Sequence, residues 1–284
     1  MPELPEVETI ACNLREALTD RTVTRVSVMW PRTIDRPDAA SFEAQLTGAR
    51  LTGIDRRGKY LVMGVAAGRS LLVHLRMSGR FDLRPAYEQP IDEAHTRVSL
   101  CLDGDTWLDF IDPRKFGRFY LVEDPGSVLS GLGIEPLSPD FTSDWLCDHL
   151  SGRRGEIKRL LLDQQFIAGL GNIYVSESLW LARIHPARAA GSLSYIECRR
   201  LHDAIVDVLQ LAVDHGGTSL DDRQYVYPNG GLGGHQQHLS VYDRSGDACP
   251  RCGYALERIV QGQRSTYFCP VCQPRHGPGP AISF

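Results

Sequence analysis

Four cysteines near the C-terminus constrain this chain more than any other feature. They form Cys-Pro-Arg-Cys at 249–252 and, after sixteen further residues, Cys-Pro-Val-Cys at 269–272. The spacing C-x2-C-x16-C-x2-C is typical of four thiolates around one tetrahedral zinc ion, a closed site with no open position for catalysis. Two disulfides are the alternative, but nothing in the sequence points to an oxidising compartment. We therefore predict one structural Zn²⁺, with the ligands Cys249, Cys252, Cys269 and Cys272.

The segment between the two cysteine pairs predicts a β-hairpin. Leu256, Ile259 and Val260 precede the polar run Gln-Gly-Gln at 261–263, and a second β-forming run starts at Arg264. The C-terminal region is thus expected to be a zinc ribbon that needs metal to fold and has Arg264 at its tip. The remaining cysteines have apolar neighbours and are expected to be small core residues: Cys12, Cys101, Cys147 and Cys198.

The remaining pattern predicts an α+β protein of several domains. The chain has 284 residues, 42% of them hydrophobic, which is enough for about two packed cores. An amphipathic helix is predicted over 3–18 and a β-sandwich from short β-forming runs. Those runs are 22–28, 51–54, 60–65, 70–75, 98–102, 106–111 and 118–122, and helices follow at 145–150, 156–166, 173–182 and 194–213.

Turn-forming residues divide these elements into four parts. We expect a β-sandwich domain with flanking helices at 1–130, a helical domain at 131–238, the zinc hairpin at 239–273 and a disordered tail at 274–284. Residues 216–238 are rich in glycine and have no periodicity, which predicts a long flexible loop.

Charge and hydropathy narrow the class of protein. The net charge is −4, so the bulk charge argues against a nucleic-acid-binding protein. Any DNA-binding surface has to be a local cluster of basic residues. No apolar run approaches the ~18 residues of a membrane span, and the N-terminus is acidic where a signal peptide would be basic. We expect a soluble cytoplasmic protein that makes no membrane contact.

Three separate motifs, in matching order, resemble the formamidopyrimidine-DNA glycosylase family of base excision repair. They are PELPEVE at 2–8, DQQ through AGLGNIY at 163–174, and QRST at 263–266 inside the zinc ribbon. The resemblance covers nearly all of 1–273. It implies a β-sandwich catalytic domain, a helix-two-turn-helix domain and a zinc finger. It also implies a partner, double-stranded DNA that contains oxidised bases or abasic sites.

The N-terminal motif fits amine chemistry once Met1 is removed. Pro2 then presents a secondary amine, and an α-amino group has a pKa near ~8, so a useful fraction is nucleophilic at neutral pH. Its attack on a sugar C1′ would expel the base and leave an iminium, from which strand cleavage by elimination follows. Glu3 is then the general acid/base, and Glu6 orients the site. Without the resemblance, Pro2 is an ordinary helix-start residue.

The resemblance assigns further roles on the DNA. Lys59 and Arg264 match basic residues that assist β,δ-elimination, and Arg264 grips the phosphates that flank the lesion. Met77, Arg114 and Phe116 match the trio that fills the hole left by an extruded base. The remaining DNA contacts implied by the family are His95, Arg153, Lys158 and Asn172.

Each of these residues also has a plain structural interpretation. A Met and a Phe beside glycines are often core or turn residues, and the glycine turn before Asn172 is common between packed helices. Arg76 and Asp243 stand where the family commonly has glycine, and the run 223–234 departs from the family pattern. The family uses this run to cover the extruded base, so the departure bears on lesion preference.

We predict a monomeric, bifunctional DNA glycosylase and abasic-site lyase that removes 8-oxoguanine and formamidopyrimidines. An endonuclease VIII-like enzyme for oxidised pyrimidines is one alternative. A noncatalytic damaged-DNA-binding protein is another, and retention of Met1 would favour it.

Overall fold

The computed structural model describes residues 1–219 and 225–275, which form two compact units. One unit is Met1–Gly131 with Val213–Gln236, and the other is Leu132–Ala212 with 237–275. The helices are α1 (Leu4–Leu18), α2 (Ala39–Leu46), α3 (Gly126–Leu129), α4 (Ser143–Leu150), α5 (Ile157–Leu161), α6 (Asn172–Leu181) and α7 (Tyr195–Asp214). The strands are β1 (Val23–Val28), β2 (Ile34–Arg36), β3 (Leu51–Arg57), β4 (Tyr60–Val65), β5 (Arg69–His74), β6 (Arg80–Pro85), β7 (Thr96–Leu102), β8 (Thr106–Ile111), β9 (Arg118–Val122), β10 (Glu257–Gln261) and β11 (Arg264–Phe268).

The first unit is built on two sheets that share one apolar core. One sheet has the order β1-β7-β8-β6 and the other the order β2-β9-β5-β4-β3, with β2 the single parallel neighbour. Alternating apolar residues of both sheets pack together with the apolar faces of α1 and α2. The predicted sandwich with flanking helices is confirmed.

Four elements of this unit were not predicted from the sequence: β2, α2, β6 and the four-residue α3. β6 alternates Phe81 and Leu83 with charged residues and ends at a proline, and β2 is only three residues long. α2 has a clear start signal, because the Asp38 carboxylate accepts a hydrogen bond from the Ser41 backbone N–H at 3.0 Å. That helix is short, and only Phe42 and Leu46 are buried in the core.

The second unit contains α4 to α7 and the zinc hairpin. The predicted helix over 156–166 is shorter in the structure, where α5 is Ile157–Leu161. Asp163 explains the difference, because its carboxylate accepts the Gln165 N–H at 3.0 Å and so competes with helical hydrogen bonding. Among residues 1–219 and 225–275, no helix is both long and apolar enough to cross a bilayer.

The segment Val213–Gln236 packs with the sandwich, although its sequence position suggested the helical domain. The Leu83 N–H donates to the Pro228 carbonyl at 2.8 Å, which fastens the segment to β6. The four-part domain division stays a prediction. Of the regions expected to be flexible or disordered, 220–224 and 276–284 lie outside the described residues.

The zinc hairpin has the predicted form. β10 and β11 pair in antiparallel register, with Gln261 opposite Arg264. The two residues between them, Gly262 and Gln263, both have positive φ, at 53° and 64°. Two successive positive φ values are the requirement of a two-residue turn that matches strand twist, so the turn places Arg264 at the tip.

Candidate functional site

The N-terminus of α1 is held by a buried carboxylate. The Glu3 backbone N–H donates to Glu6 Oε2 at 2.8 Å, and the Thr218 N–H donates to Glu6 Oε1 at 2.8 Å. Pro2 and Glu3 are buried, and Glu6 is 2% exposed. Because Glu6 accepts from both segments, it joins the start of the chain to the loop that follows α7. In the chain as it stands, Met1 precedes Pro2, so the Pro2 nitrogen belongs to a peptide bond.

The loop after α7 is packed tightly against Glu6. Gly217 has φ +77°, and a Cβ there would lie 2.9 Å from Glu6 Oε1 and 3.2 Å from its Cα. The hydroxyls of Tyr225 and Tyr227 both donate to the Gly216 carbonyl at 3.0 Å. Burial and then the nearby Glu6 charge raise the pKa of both tyrosines. The described parts of this loop are therefore ordered by hydrogen bonds, whereas the sequence predicted a flexible loop.

Lys59 lies in a two-residue turn between β3 and β4. Gly58 takes φ +56° there, and Lys59 is 4% exposed. Burial, followed by the charges of Arg76 and Lys59, lowers the pKa of His74 to about 3. His74 is thus neutral at physiological pH, and its Nδ1 accepts the Arg76 N–H at 2.9 Å. The turn thus carries a buried lysine, and the part of Lys59 in elimination stays a prediction.

Two exposed loops carry the three candidate void-filling side chains, and one carboxylate connects them. Asp112, which is fully buried, accepts from the Gly117 N–H at 2.7 Å and the Arg114 N–H at 3.2 Å. The same carboxylate accepts from Ser78 Oγ at 2.5 Å, and Ser78 follows Met77. The loop of Arg114 and Phe116 is therefore joined to the turn of Met77.

An aromatic ring supports the same two loops. A Cβ at Gly79 would lie 2.7 Å from the Phe110 ring, and one at Gly117 would lie 2.4 Å from it. Above this packing, Met77 is 41% and Phe116 45% exposed, and the Arg114 guanidinium lies 4.9 Å from the Phe116 ring centroid. The structure thus presents large apolar side chains to solvent from loops that glycines allow to pack closely.

Both departures from family glycines occur at left-handed backbone positions. Arg76 has φ +58° and Asp243 has φ +59°. The Tyr267 hydroxyl donates to the Asp243 carboxylate at 2.9 Å, which gives this residue a compensating contact. Each residue adopts the left-handed conformation without being glycine, at a cost of about 1 kcal/mol.

His95 lies in a short 3-10 turn before β7. Its Nδ1 is 2.8 Å from Asp92 Oδ1, and its side chain is 43% exposed. The Asp112 N–H donates to the His95 carbonyl at 2.9 Å. His95 therefore sits beside the Arg114 loop, with its backbone bonded to the same residue that organises that loop.

Lys158 and Asn172 contact the zinc hairpin. Lys158 is fully buried, and its Nζ donates to the Ser265 carbonyl at 3.0 Å and to Thr266 Oγ1 at 2.8 Å. Asn172 Nδ2 donates to the same Ser265 carbonyl at 2.9 Å, while its Oδ1 is buried with no hydrogen-bond partner. Both side chains thus hold the residue next to Arg264. Their direct contact with DNA stays a prediction.

Two of the predicted site residues in the second unit are exposed cations, Arg153 and Arg264. Arg153 lies 5.9 Å over the Phe166 ring and borders a cavity of about 380 Å³. Arg264 begins β11 beside a glycine turn, so its guanidinium projects from a fixed backbone. A planar guanidinium in that position suits two-point contact with a phosphate.

The four predicted zinc ligands meet at one point. Their Sγ atoms all lie within 4.8 Å of one another, and those of Cys252 and Cys269 are 3.5 Å apart. Four thiolates at Zn–S distances of about 2.3 Å require such spacing, so the cluster fits one tetrahedral zinc ion. Gln273 supports it by accepting the Cys269 N–H at 2.8 Å.

Sequence reasoning missed three positioning groups: Asp112, Thr218 and Glu177. Glu177 is buried and accepts three backbone N–H groups of residues 240–242, at 2.8 to 2.9 Å. Burial raises the pKa of this carboxyl. An acidic residue within the apolar run of α6 was the available signal, because an uncompensated buried carboxylate is costly.

Comparison with known proteins connects all three regions to one family. The models that match are "Formamidopyrimidine-DNA glycosylase N-terminal domain" over residues 1–119, "Formamidopyrimidine-DNA glycosylase H2TH domain" over 132–224 and "Zinc finger found in FPG and IleRS" over 246–275. The formamidopyrimidine-DNA glycosylase of Chloroflexus aurantiacus is 46% identical, with 96% of this chain and 98% of that protein covered.

Solved structures are similar over nearly the whole chain. The MutM (Fpg) protein of Thermus thermophilus is 41% identical with a TM-score of 0.86, covering 98% of this chain and 100% of that one. Lactococcus lactis Fpg in complex with DNA that contains N7-benzyl-Fapy-dG is 36% identical with a TM-score of 0.89, covering 96% and 100%. The same Lactococcus protein is also found with abasic-site DNA and with oxidised-pyrimidine DNA.

Proposed function

The chain belongs to the formamidopyrimidine-DNA glycosylase family, and from this premise we propose that Pro2 and the residues around it excise oxidised purines from duplex DNA. The protein is a DNA glycosylase of base excision repair, with a structural zinc in its four-cysteine cluster. The observation that carries the proposal for the site is the double hydrogen bond of Glu6, which fixes Glu3 at the start of α1.

The proposed first step is nucleophilic attack by the N-terminal amine. Removal of Met1 would turn the Pro2 amide nitrogen into a secondary amine whose pKa of ~8 leaves part of it unprotonated. The nitrogen lone pair bonds to C1′, the base leaves with the glycosidic electron pair, and loss of the amine proton leaves a neutral aminal, which becomes the iminium when the C1′–O4′ bond breaks. Glu3, one residue away, would protonate the sugar ring oxygen as the ring opens.

The iminium makes the C2′ proton acidic, so elimination follows. Loss of that proton expels the 3′ phosphate, and a second elimination expels the 5′ phosphate. Lys59 and Arg264 would stabilise the departing phosphates as cations. We assign Lys59 of the first unit and Arg264 of the second unit to the elimination steps. The residues assigned to DNA binding are His95, Arg153, Lys158 and Asn172.

Extrusion of the damaged nucleotide would leave a gap in the base stack. Unstacking costs a few kcal/mol, and an inserted side chain recovers part of it. Met77 and Phe116 are exposed and apolar, and Arg114 offers hydrogen-bond donors to the unpaired opposite base. Their connection through Asp112 supports insertion of the three as a unit.

Three further points are proposed. The predicted domain division places catalysis in 1–130, DNA binding in 131–238 and the zinc hairpin in 239–273. The protein is proposed to act as a monomer. It works in the cytoplasm, associated with the nucleoid when bound to DNA.

Borohydride trapping tests the amine mechanism. The substrate is a duplex with a single 8-oxoguanine opposite cytosine, and the variants are Pro2→Gly and Glu3→Gln. The exposed Glu16 on the same helix supplies the control, Glu16→Gln. We expect a covalent protein–DNA band from the wild type and the control, and none from Glu3→Gln.

Other outcomes separate the rival functions. Trapping only on an abasic-site duplex would retain the lyase and exclude this lesion. Trapping on oxidised-pyrimidine duplexes alone would favour the endonuclease VIII-like alternative. No band on any duplex, with binding intact and Met1 found by intact mass, would leave a noncatalytic DNA-binding protein.

A further inference from the structure

The lysine between two of the candidate void-filling residues contacts a tryptophan from another part of the first unit. Arg114 and Phe116 contact each other, guanidinium over ring. Lys115, which lies between them, contacts a different ring, because its ammonium is 3.9 Å from the ring centroid of Trp30. A cation at this distance over an indole is attracted by the negative face of the ring. The segment 113–117 is therefore attached to a residue that is far away in the sequence.

The backbone of Trp30 is fixed on both sides. Its N–H donates to the Arg97 carbonyl at 3.2 Å, and its own carbonyl accepts the Thr33 N–H at 2.9 Å. Pro31 follows, and a residue before proline is restricted to extended backbone, which Trp30 adopts with φ −133° and ψ 93°. Trp30 is also half-buried. The ring is thus held in place before any lysine contacts it.

A series of hydrogen bonds connects Trp30 with the segment 113–117. Arg97, whose carbonyl accepts the Trp30 N–H, is buried, and its Nε donates to the Asp112 carbonyl at 2.9 Å. The same Asp112 carbonyl accepts the Lys115 N–H at 3.2 Å. Both backbones are therefore attached to one pair of buried residues, which fixes the ring and the lysine relative to each other.

The backbone of Lys115 adopts a conformation that a lysine does not favour. Its φ is +61°, in the left-handed region where a Cβ is crowded by the backbone. Unfavourable backbone conformations of this kind persist where the surroundings stabilise them, and they are concentrated at functional sites. The contact with Trp30 gives the side chain a favourable interaction in this conformation. Glycine would suit the backbone better, but it would lose the ammonium.

We propose that Trp30 is a positioning residue for base extrusion, which acts through Lys115 to hold Arg114 and Phe116 ready for insertion into the base stack. Without the contact, the segment 113–117 would sample more conformations, and ordering it on DNA would cost conformational entropy. The effect should include recognition of the opposite base, since Arg114 is the residue proposed to bond it. The consequence for repair rests on the proposed function, whereas the attachment of the segment is a property of the free protein.

Amide exchange of the free, zinc-loaded protein tests the attachment. Trp30→Leu and Lys115→Met should each accelerate exchange in 113–117 about fivefold, as expected for loss of a cation–π contact at a partly exposed site. Trp30→Phe and Lys115→Arg retain a ring and a cation, so they should stay close to the wild type. Trp107→Leu is the matched control, because it removes a tryptophan 5.4 Å from the Arg84 guanidinium, in strand β8.

Single-turnover excision tests the consequence for repair. Trp30→Leu and Lys115→Met should each slow removal of 8-oxoguanine opposite cytosine about fivefold and change the ratio to removal opposite adenine. The double variant should be no slower than either single variant, because both residues act through one contact. In an Arg114→Ala background, Trp30→Leu should leave the opposite-base ratio unchanged. Trp107→Leu should match the wild type in rate and ratio.

Three results have distinct meanings. Additive losses in the double variant, or unchanged exchange of 113–117 in Trp30→Leu, would overturn the proposal. A shallower salt dependence of DNA binding in Lys115→Met alone would make this lysine a phosphate contact that needs no tryptophan, and would also overturn it. Faster exchange in both variants of a protein that excises no lesion would confirm the attachment and contradict the proposed function.

Discussion

The exposed loops of the first unit and the zinc hairpin of the second unit are each held by a buried charged side chain. The two buried charges have opposite sign. In the first unit the carboxylate of Asp112 gathers backbone N–H groups beneath Arg114 and Phe116. In the second unit the ammonium of Lys158 gathers oxygen acceptors beside Arg264. The backbone group that needs a partner determines the sign of the buried charge. A tight loop leaves N–H groups without a backbone acceptor, whereas the hairpin edge leaves a carbonyl without a backbone donor.

This difference separates two kinds of residue. An exposed tip such as Arg264 or Arg114 makes few contacts with its own chain, so its removal should affect DNA more than folding. A buried charge such as Asp112 or Lys158 fixes the backbone under the tip, so its removal should affect both. Measurements of stability and activity on the same variants test this distinction between exposed tips and buried charges.

Zinc removal should produce the largest effect, and in one unit only. Metal binding to such clusters supplies about 10 kcal/mol, so chelation should unfold the hairpin and release Arg264. We expect amide exchange to accelerate in β10 and β11, while β7 and β8 stay protected. Strand cleavage should be lost, and added Zn²⁺ should restore it. Equal loss of protection in the sandwich strands would refute the separation of the two regions.

Lys158→Met should destabilise the protein by about 3 kcal/mol, because it leaves buried oxygen acceptors without their donor. Denaturant unfolding measures this change, and abasic-site cleavage should fall with it. Arg159→Met alters the adjacent exposed cation and is the matched control, with a change below about 0.5 kcal/mol. Normal cleavage by a destabilised Lys158→Met protein would show that the buried ammonium does not position Arg264.

Asp112→Asn should cost about 2 kcal/mol, because an amide NH₂ group would face a donor where the carboxylate now accepts. Base excision should fall, whereas Arg114→Ala should lower excision with almost no loss of stability. Asp105→Asn, at an exposed turn, supplies the control. Should Arg114→Ala prove as destabilising as Asp112→Asn, the distinction between tip and buried charge would fail in the first unit.

The smallest effect concerns pH. His74 has a folded pKa of about 3 against about 6.5 when unfolded, so the unfolded chain binds more protons between these values. Stability is fully present above pH 6.5 and is lost as pH falls towards 3. Between pH 7.5 and 5.5 the loss from this residue should be about 1.4 kcal/mol. His74→Gln should have a flatter profile over that range, and parallel profiles would argue against the buried neutral imidazole.

Sequence patterns predicted the local parts of this fold well. The β-forming runs, the hairpin turn at 261–264 and the four-cysteine cluster all depend on neighbouring residues or on fixed spacing. The carboxylate of Asp112 could not be found that way, because its partner Ser78 is 34 positions distant. Lys158 was expected on a DNA surface, and nothing in its local sequence indicates full burial against a hairpin more than a hundred residues away.

Gly217 has a consequence for efforts to redesign the lesion range of this protein. Its left-handed backbone and its closeness to Glu6 leave no room for any side chain. A saturation library across 216–238, selected for repair of a new lesion, should recover glycine at 217 in every active clone. Library diversity is better placed at other positions of that loop, because a change at 217 would alter the attachment of the loop to the proposed catalytic N-terminus before it altered selectivity.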